Sequence, residues 1–479
     1  MTNNEFFTKD NIEIALKDDK SRTLTYSELY DFCDGFKSSF RLKKRDFILV
    51  LCDNTVSCVA FIIACIRNEI VPLLLNSTIS NDMIKQYVSL YQPGYIFKPM
   101  KKELDHEGAS ISNYFDHELI KHGNTEVPLY KELSLLLPTS GTTGHPKLVR
   151  HSYHNLSISA ENVAKALEIS KSEHAILSLP IHFTQGLSVL CSHLYVGAQV
   201  FLTEHSLNSR DFWNTMKQEE ITSFSGVPYS YEVLDRFRFY TMELPSLKVI
   251  NQGGGRMTDT LFSKLSSYAA NTGRKFYATY GATETTSRMS CLGYKHAVEK
   301  CGSIGKPLSD YEMWLIDDNN EEIATPDTIG ELVFKGGNVT LGYAESASDL
   351  SKGDEWGGVY KTGDLAYRDK DGFYYITGRL SRFIKIFGYR INLDEVERVV
   401  KSEFNDSFVC AGKDEKLYVF TSDKNADLNG VMVFLKNKLK INISAFEAVC
   451  VDEIPKKQNN KTDYEQLNKL YIQRSEEEK

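Results

Sequence analysis

The chain has 479 residues, a formal net charge of −8, 42% hydrophobic and 25% charged residues, and only 30 Gly and 12 Pro. That composition is globular and excludes a disordered, collagen-like or low-complexity chain. The excess of acids argues against a broad nucleic-acid-binding face but leaves room for a local polyanion site. At roughly 150 residues per domain the length predicts about three domains.

The N-terminus, MTNNEFFTKDN, lacks a basic start and an apolar core, which predicts no export signal. Thr25 and Glu28 form a capping-box pattern that opens a helix through LTYSELYDFCDGF. DFILVLCD reads as a buried strand, Val56 to Arg67 as a buried helix, and IVPLLL as the next strand. The apolar run in that helix is too short to cross a bilayer. This rhythm predicts parallel strands joined by crossover helices. AILSLP, VGAQVFLT, ITSFSGVP and LKVINQGGG add short strands, each followed by a turn of the kind where such sheets bind ligands. Near residue 300 the pattern changes to aromatic-rich alternation in IGELVFKGGNV and DGFYYITGR, as in a β-meander. After Arg379 come the basic stretch RLSRFIKIFGYRINLDEVERVV, a strand (KLYVFTS) and a helix (GVMVFLKNKLK). We therefore expect a large domain over 1–380 and a small one over 381–479. Nine cysteines, an odd number with no C-x-x-C, fit neither a disulfide framework nor a zinc site and point to the cytoplasm.

A strand-like run, Leu135 to Leu137, leads into Thr139, Ser140, Gly141, Thr142, Thr143, Gly144, Pro146 and Lys147. Hydroxyls and glycines in a flexible backbone, with a lysine at the end, suit the wrapping of phosphate oxygens. The spacing is not that of a Walker A loop, which has four residues between its glycines and Ser or Thr after its lysine. The string T-S-G-T-T-G-x-P-K resembles the signature of the adenylate-forming superfamily of acyl-CoA synthetases, peptide-synthetase adenylation domains and luciferases. YGATET (280–285), GELVFKGGNVTLGY (330–343), YKTGDLAYRDKDGFYYITGR (360–379) and FGYRINLDEVE (387–397) resemble its further motifs, in order.

The resemblance implies a two-part α/β fold, α+β overall. A large lobe would hold mixed and parallel sheets, flanking helices and a β-barrel-like part. A small mobile α+β domain would follow. It also implies a reaction in which a carboxylate attacks the α-phosphate of ATP, giving an acyl-adenylate and pyrophosphate before transfer to a thiol. By that resemblance Thr139 to Lys147 would hold the outer phosphates and Thr283 the α-phosphate. Glu284 would hold Mg²⁺, a hard cation that prefers oxygen. Tyr280, beside Gly281, would stack on adenine, and Asp364 with Arg379 would take the ribose. The segment IPKKQNNKTDYEQL resembles the tail that carries the adenylation lysine, which falls on Lys461, with Lys456 and Lys457 as rivals. Asn460 stands where the family has glycine, and Asn is the next-best residue for a left-handed turn. Ser381 takes the hinge position, where relatives carry Asp or Lys, and Gly388 would face the thiol acceptor. Arg382 and Lys385 offer either a phosphate- or carrier-binding patch or a solvated face.

LPIHFTQGLSV (179–189), SFSGVPYSY and NQGGGRM (251–257) would line the acyl pocket. His182 would gate it, and Gly253, Gly254 and Gly255 would leave it space. No acid lies between 179 and 189 to meet an α-ammonium group, which disfavours an amino acid and leaves a fatty, hydroxy or aryl acid. The expected acceptor is CoA. The alternatives are the phosphopantetheine of a separate carrier protein, or a homologue that binds nucleotide or acyl ligand without turnover.

Overall fold

The structure is a computed structural model. It describes residues 12–105, 108–123, 126–139, 147–387, 389–405, 407–413, 415–457 and 461–469. By contacts the chain divides into two compact units, one of Met1–Met313 with Phe334–Tyr360, the other of Trp314–Val333 with Lys361–Lys479.

Two large sheets organise the first unit. In the eight-stranded sheet, Phe47–Cys52 and Val71–Asn76 pair in parallel, with the helix Val56–Arg67 as their crossover. Thr55 caps that helix by accepting from Cys58 N at 3.3 Å, and Val56 to Ile66 are all buried. A helix apolar all round must be packed on every side. It shares one core with the helix Tyr26–Phe40, where Phe36 and Phe61 meet edge to face at 5.0 Å and Phe61 stacks on Phe97 at 3.6 Å. The Thr25 capping box forms with both of its hydrogen bonds.

The nine-stranded sheet runs Lys306–Pro307, Ser287–Leu292, Lys275–Ala282, Val249–Gln252, Ser223–Gly226, His174–Leu177, Gln199–Leu202, Ile14–Asp18 and Thr23–Thr25. Its middle strands are parallel, whereas Lys275–Ala282 and Ser287–Leu292 form an antiparallel pair. The helix Thr184–Tyr195 packs against His174–Leu177 and against Ser287–Leu292.

The strands Glu312–Ile316, Gly330–Lys335, Val359–Arg368 and Tyr374–Arg379 form an open four-stranded sheet, most of it in the second unit. The barrel-like part expected from the sequence is therefore corrected: the outer two strands are not hydrogen-bonded to each other, so no barrel closes. Aromatic alternation reports one covered face, which an open sheet provides as well as a closed one. A single 3₁₀ turn, Leu380–Arg382, follows. The rest of the second unit packs the helices Leu393–Glu403 and Leu428–Leu439 on a sheet of Phe408–Lys413, Lys416–Thr421 and Phe446–Cys450. Among the described residues no helix is long and apolar enough to cross a membrane.

Candidate active site

The glycine-rich stretch connects two antiparallel strands, Leu133–Pro138 and Leu148–Ser152, and Thr139 N donates to Lys147 O at 2.9 Å across its base. Ser140, Gly141, Thr142, Thr143 and Gly144 lie outside the described residues. Lys147 is half-buried. Its ammonium lies 3.1 Å from Glu345 Oε1 and 3.9 Å from the centre of the Tyr343 ring. Tyr343 in turn donates to Glu284 Oε1 at 2.8 Å. Burial first, then the neighbouring Glu284 charge, pushes the Tyr343 hydroxyl well above its ordinary pKa, so it remains a donor. Lys147, Tyr343 and Glu284 thus form one connected group.

Glu284 sits in a 3₁₀ turn, Thr283–Thr285, at the end of the strand that carries Tyr280 and Gly281. Neighbouring groups hold that turn from several sides. Thr340 N donates to Glu284 O at 3.0 Å, and Asn338 Nδ2 donates to Thr285 O at 2.7 Å. Arg150 is buried and holds the segment behind them, donating to Leu341 O at 2.7 Å, Tyr343 O at 3.0 Å and Gly353 O at 3.1 Å. The sequence patterns assign no role to Arg150, Asn338 or Tyr343. The G-E-L…G-Y motif was the available signal, since it contains both Asn338 and Tyr343. After the turn, Thr286 (φ 48°) and Ser287 (φ 113°) occupy the left-handed side of backbone space. For a β-branched threonine that conformation is costly and persists only when its surroundings impose it.

The second unit brings together Asp364, Arg379 and Lys461. Asp364 and Arg379 are cross-strand partners, with Arg379 Nε 2.8 Å from Asp364 Oδ1. Lys461 feels both of them electrostatically. Withdrawal of its head group from water, then the like charges of Arg379 and Lys457, lower its pKa from the ordinary lysine value, and Asp364 opposes. The residue as a whole is exposed, so the direction reflects crowding of the head group rather than a fully buried ammonium. Gly388 and Asn460 lie outside the described residues.

Ser381 lies in the 3₁₀ turn. Its neighbour Arg382 offers no outward patch and is no solvated face. It is half-buried, with Nε 2.6 Å from Asp394, one terminal nitrogen 3.3 Å from Glu397 and 3.0 Å from Cys410 O, and its guanidinium 3.5 Å from the Tyr464 ring centre.

On the acyl side, His182 is buried in the loop before the helix Thr184–Tyr195. A Cβ on Gly253 would lie 2.7 Å from Thr279 Oγ1 and 2.8 Å from Gln185 Nε2, and one on Gly254 (φ +79°) would lie 2.6 Å from Gln185 Oε1. The room beside these glycines is therefore filled by the Gln185 amide and, at Gly253, by the Thr279 hydroxyl. Gly255 is exposed and accepts from Gln252 Nε2 at 2.6 Å.

Burial depresses His182 to a pKa of about 4 and His151 to about 3, from 6.5. Both are neutral at pH 7. Between pH 6.5 and those values the unfolded chain binds protons that the folded chain refuses, so stability falls as pH falls through that window. We expect a loss of about 3–5 kcal/mol per histidine across the whole window, read as a falling urea midpoint, and His182→Gln should flatten part of the slope. An unchanged slope in that variant would refute the assignment.

The AMP-binding enzyme family model matches residues 7–344. The 2-succinylbenzoate–CoA ligase of Bacillus subtilis (strain 168) is 29% identical over 409 residues, covering 82% of this chain and 80% of that protein. The oxalate–CoA ligase of Arabidopsis thaliana is 27% identical over 406 residues, covering 79% and 78%. Among solved structures, the B. subtilis O-succinylbenzoate CoA synthetase in complex with ATP and magnesium ion superposes with a TM-score of 0.76 at 27% identity, covering 95% of this chain and 96% of that one. The chain belongs to the AMP-binding enzyme family.

Proposed function

We propose that this AMP-forming acid–thiol ligase, which uses ATP and Mg²⁺, delivers its acyl group to CoA in the cytoplasm. The observation that carries the reading is the pair of charged groups: Lys147–Tyr343–Glu284 in one unit, Asp364–Arg379–Lys461 in the other. The donor sets fit the cofactors. Glu284 offers hard carboxylate oxygen held by a tyrosine donor, which suits Mg²⁺. When bound, that ion would neutralise phosphate charge. Lys147 would meet the outer phosphates by exchanging Glu345 for them, while Thr283 would contact the α-phosphate and Tyr280 would face adenine. Asp364 would accept from the ribose hydroxyls once Arg379 turns aside. Lys461, carried by residues 381–479 about Ser381, would bring the attacking carboxylate and the nucleotide together against their mutual repulsion. His182 stays neutral and adds no charge beside the acid.

The test is ATP–pyrophosphate exchange over a panel of acids, followed by supply of CoA or of a phosphopantetheinylated carrier protein. We expect exchange with at least one acid and thioester formation on CoA. Transfer to the carrier alone would move the acceptor. Nucleotide binding without exchange for any acid would leave a binding protein instead of a ligase.

A further inference from the structure

Arg288 follows the strained Thr286–Ser287 turn, four residues beyond Glu284, on the strand Ser287–Leu292. It pairs in register with Gly281, so it shares a sheet face with Gly281, Thr279 and Cys291, and the missing Cβ of Gly281 lets the Ser287–Arg288 backbone approach closely. The helix Thr184–Tyr195, which carries Gln185 and Ser188, packs against this strand.

Arg288 is 4% exposed, and none of its three guanidinium nitrogens has a hydrogen-bond partner among the described residues. The groups that act on its charge are Cys291 and Tyr231. Neither is an anion at neutral pH. Burial pushes the Cys291 thiol up to about 12 and the Tyr231 hydroxyl further still above its usual value. Arg288 itself is pushed down to about 10 by burial, and so stays cationic at pH 7. A buried, uncompensated guanidinium is one of the costliest features a fold can keep. Nearby elements add buried polar atoms without partners among the described residues: His182 Nε2, Ser188 Oγ and Asn251 Oδ1. Arg150, also deeply buried, is by contrast engaged by backbone carbonyls and Glu355.

We infer that Arg288 is a specificity residue that receives a second anionic group, at the far end of the acid being activated. This rests on the ligase reading above. It narrows the substrate from carboxylic acids in general to those with a terminal carboxylate or an equivalent anion. A guanidinium fork matches a carboxylate with two parallel hydrogen bonds, and a site built for such a partner rejects analogues that lack it.

The test compares the wild type with Arg288→Met, which keeps the bulk and removes the charge. Each acid of the panel is offered as the dicarboxylate, the half methyl ester and the carboxylate–phosphonate. We expect wild-type exchange to favour the doubly anionic acids over the half ester by at least about a hundredfold in kcat/KM. The phosphonate arm distinguishes a phosphate-like tail from a carboxylate. Arg288→Met should lose the preference mainly through KM and should use the half ester at least as well as the wild type does. It should also melt several degrees higher without ligand, because a buried uncompensated charge has gone, which a merely structural arginine would not do. Efficient wild-type exchange with half esters but not diacids would overturn the inference and leave the ligase reading intact. A preference that survives in Arg288→Met would do the same. If no acid supports exchange, the ligase reading fails. The inference is then decided by melting: dicarboxylate raising the wild-type Tm but not that of Arg288→Met supports it, and equal shifts overturn it.

Discussion

Lys461→Ala is expected to lower ATP–pyrophosphate exchange by at least about a hundredfold, the scale of losing one well-placed charge at a developing anion. It should spare conversion of a presynthesised acyl-adenylate to thioester, because no second anion then has to approach the nucleotide. The substitution removes the charge without dismantling its support. Lys457 N donates to Lys461 O at 2.8 Å, Asp463 N donates to Pro455 O at 2.8 Å, and Lys456 and Thr462 form a bridge between these contacts. Tyr464 then ties the segment to Glu397 at 2.9 and 3.0 Å, and Arg382 lies over its ring. Lys457→Ala is the matched control, since it removes a like charge from the opposite arm. Full exchange in Lys461→Ala together with loss in Lys457→Ala would transfer the role to Lys457.

The elements carried by period and punctuation were readable from the sequence. The capping box at Thr25, the fully apolar Val56–Arg67 helix and the parallel strands on either side of it each follow from short-range patterns. What escaped depends on contacts distant in sequence. Gln185 fills the room above Gly253 and Gly254 from a helix some seventy residues earlier. Arg382 reads as part of a basic stretch, but its acids, Asp394 and Glu397, arrive on the next helix and turn it inward. Arg288 looks like any arginine in a strand, and only the register opposite Gly281 and the neutrality of its neighbours set it apart. The barrel-like part came with the family resemblance; the alternation in the strands fixes which face is covered and says nothing about closure.

Gly281→Ala should be the most damaging single-methyl change in the large sheet. A Cβ at Gly281 would overlap the Ser287 carbonyl oxygen and lie 2.9 Å from Arg288 Cα, and both obstacles are backbone. Neither can rotate away, so the two strands must separate where their register already shifts, between Tyr280 and Gly281. We expect a loss of about 2–4 kcal/mol of stability, the upper range for overpacking. Exchange should drop by about a hundredfold or more, because Thr283 and Glu284 follow directly and a misplacement of about 1 Å at reacting groups has that effect. Two other glycines grade the explanation. Gly363 has a φ of +68° with nothing within 4 Å of a new Cβ, so Gly363→Ala should cost only about 1 kcal/mol of backbone strain. Gly293 has neither constraint, and Gly293→Ala should be neutral or slightly stabilising through the unfolded chain. Equal melting temperatures for all three variants would defeat the argument. The predicted order, with activity lost only at Gly281, would show that close backbone approach, and not flexibility, is why a glycine stands two residues before the Thr283–Glu284 pair.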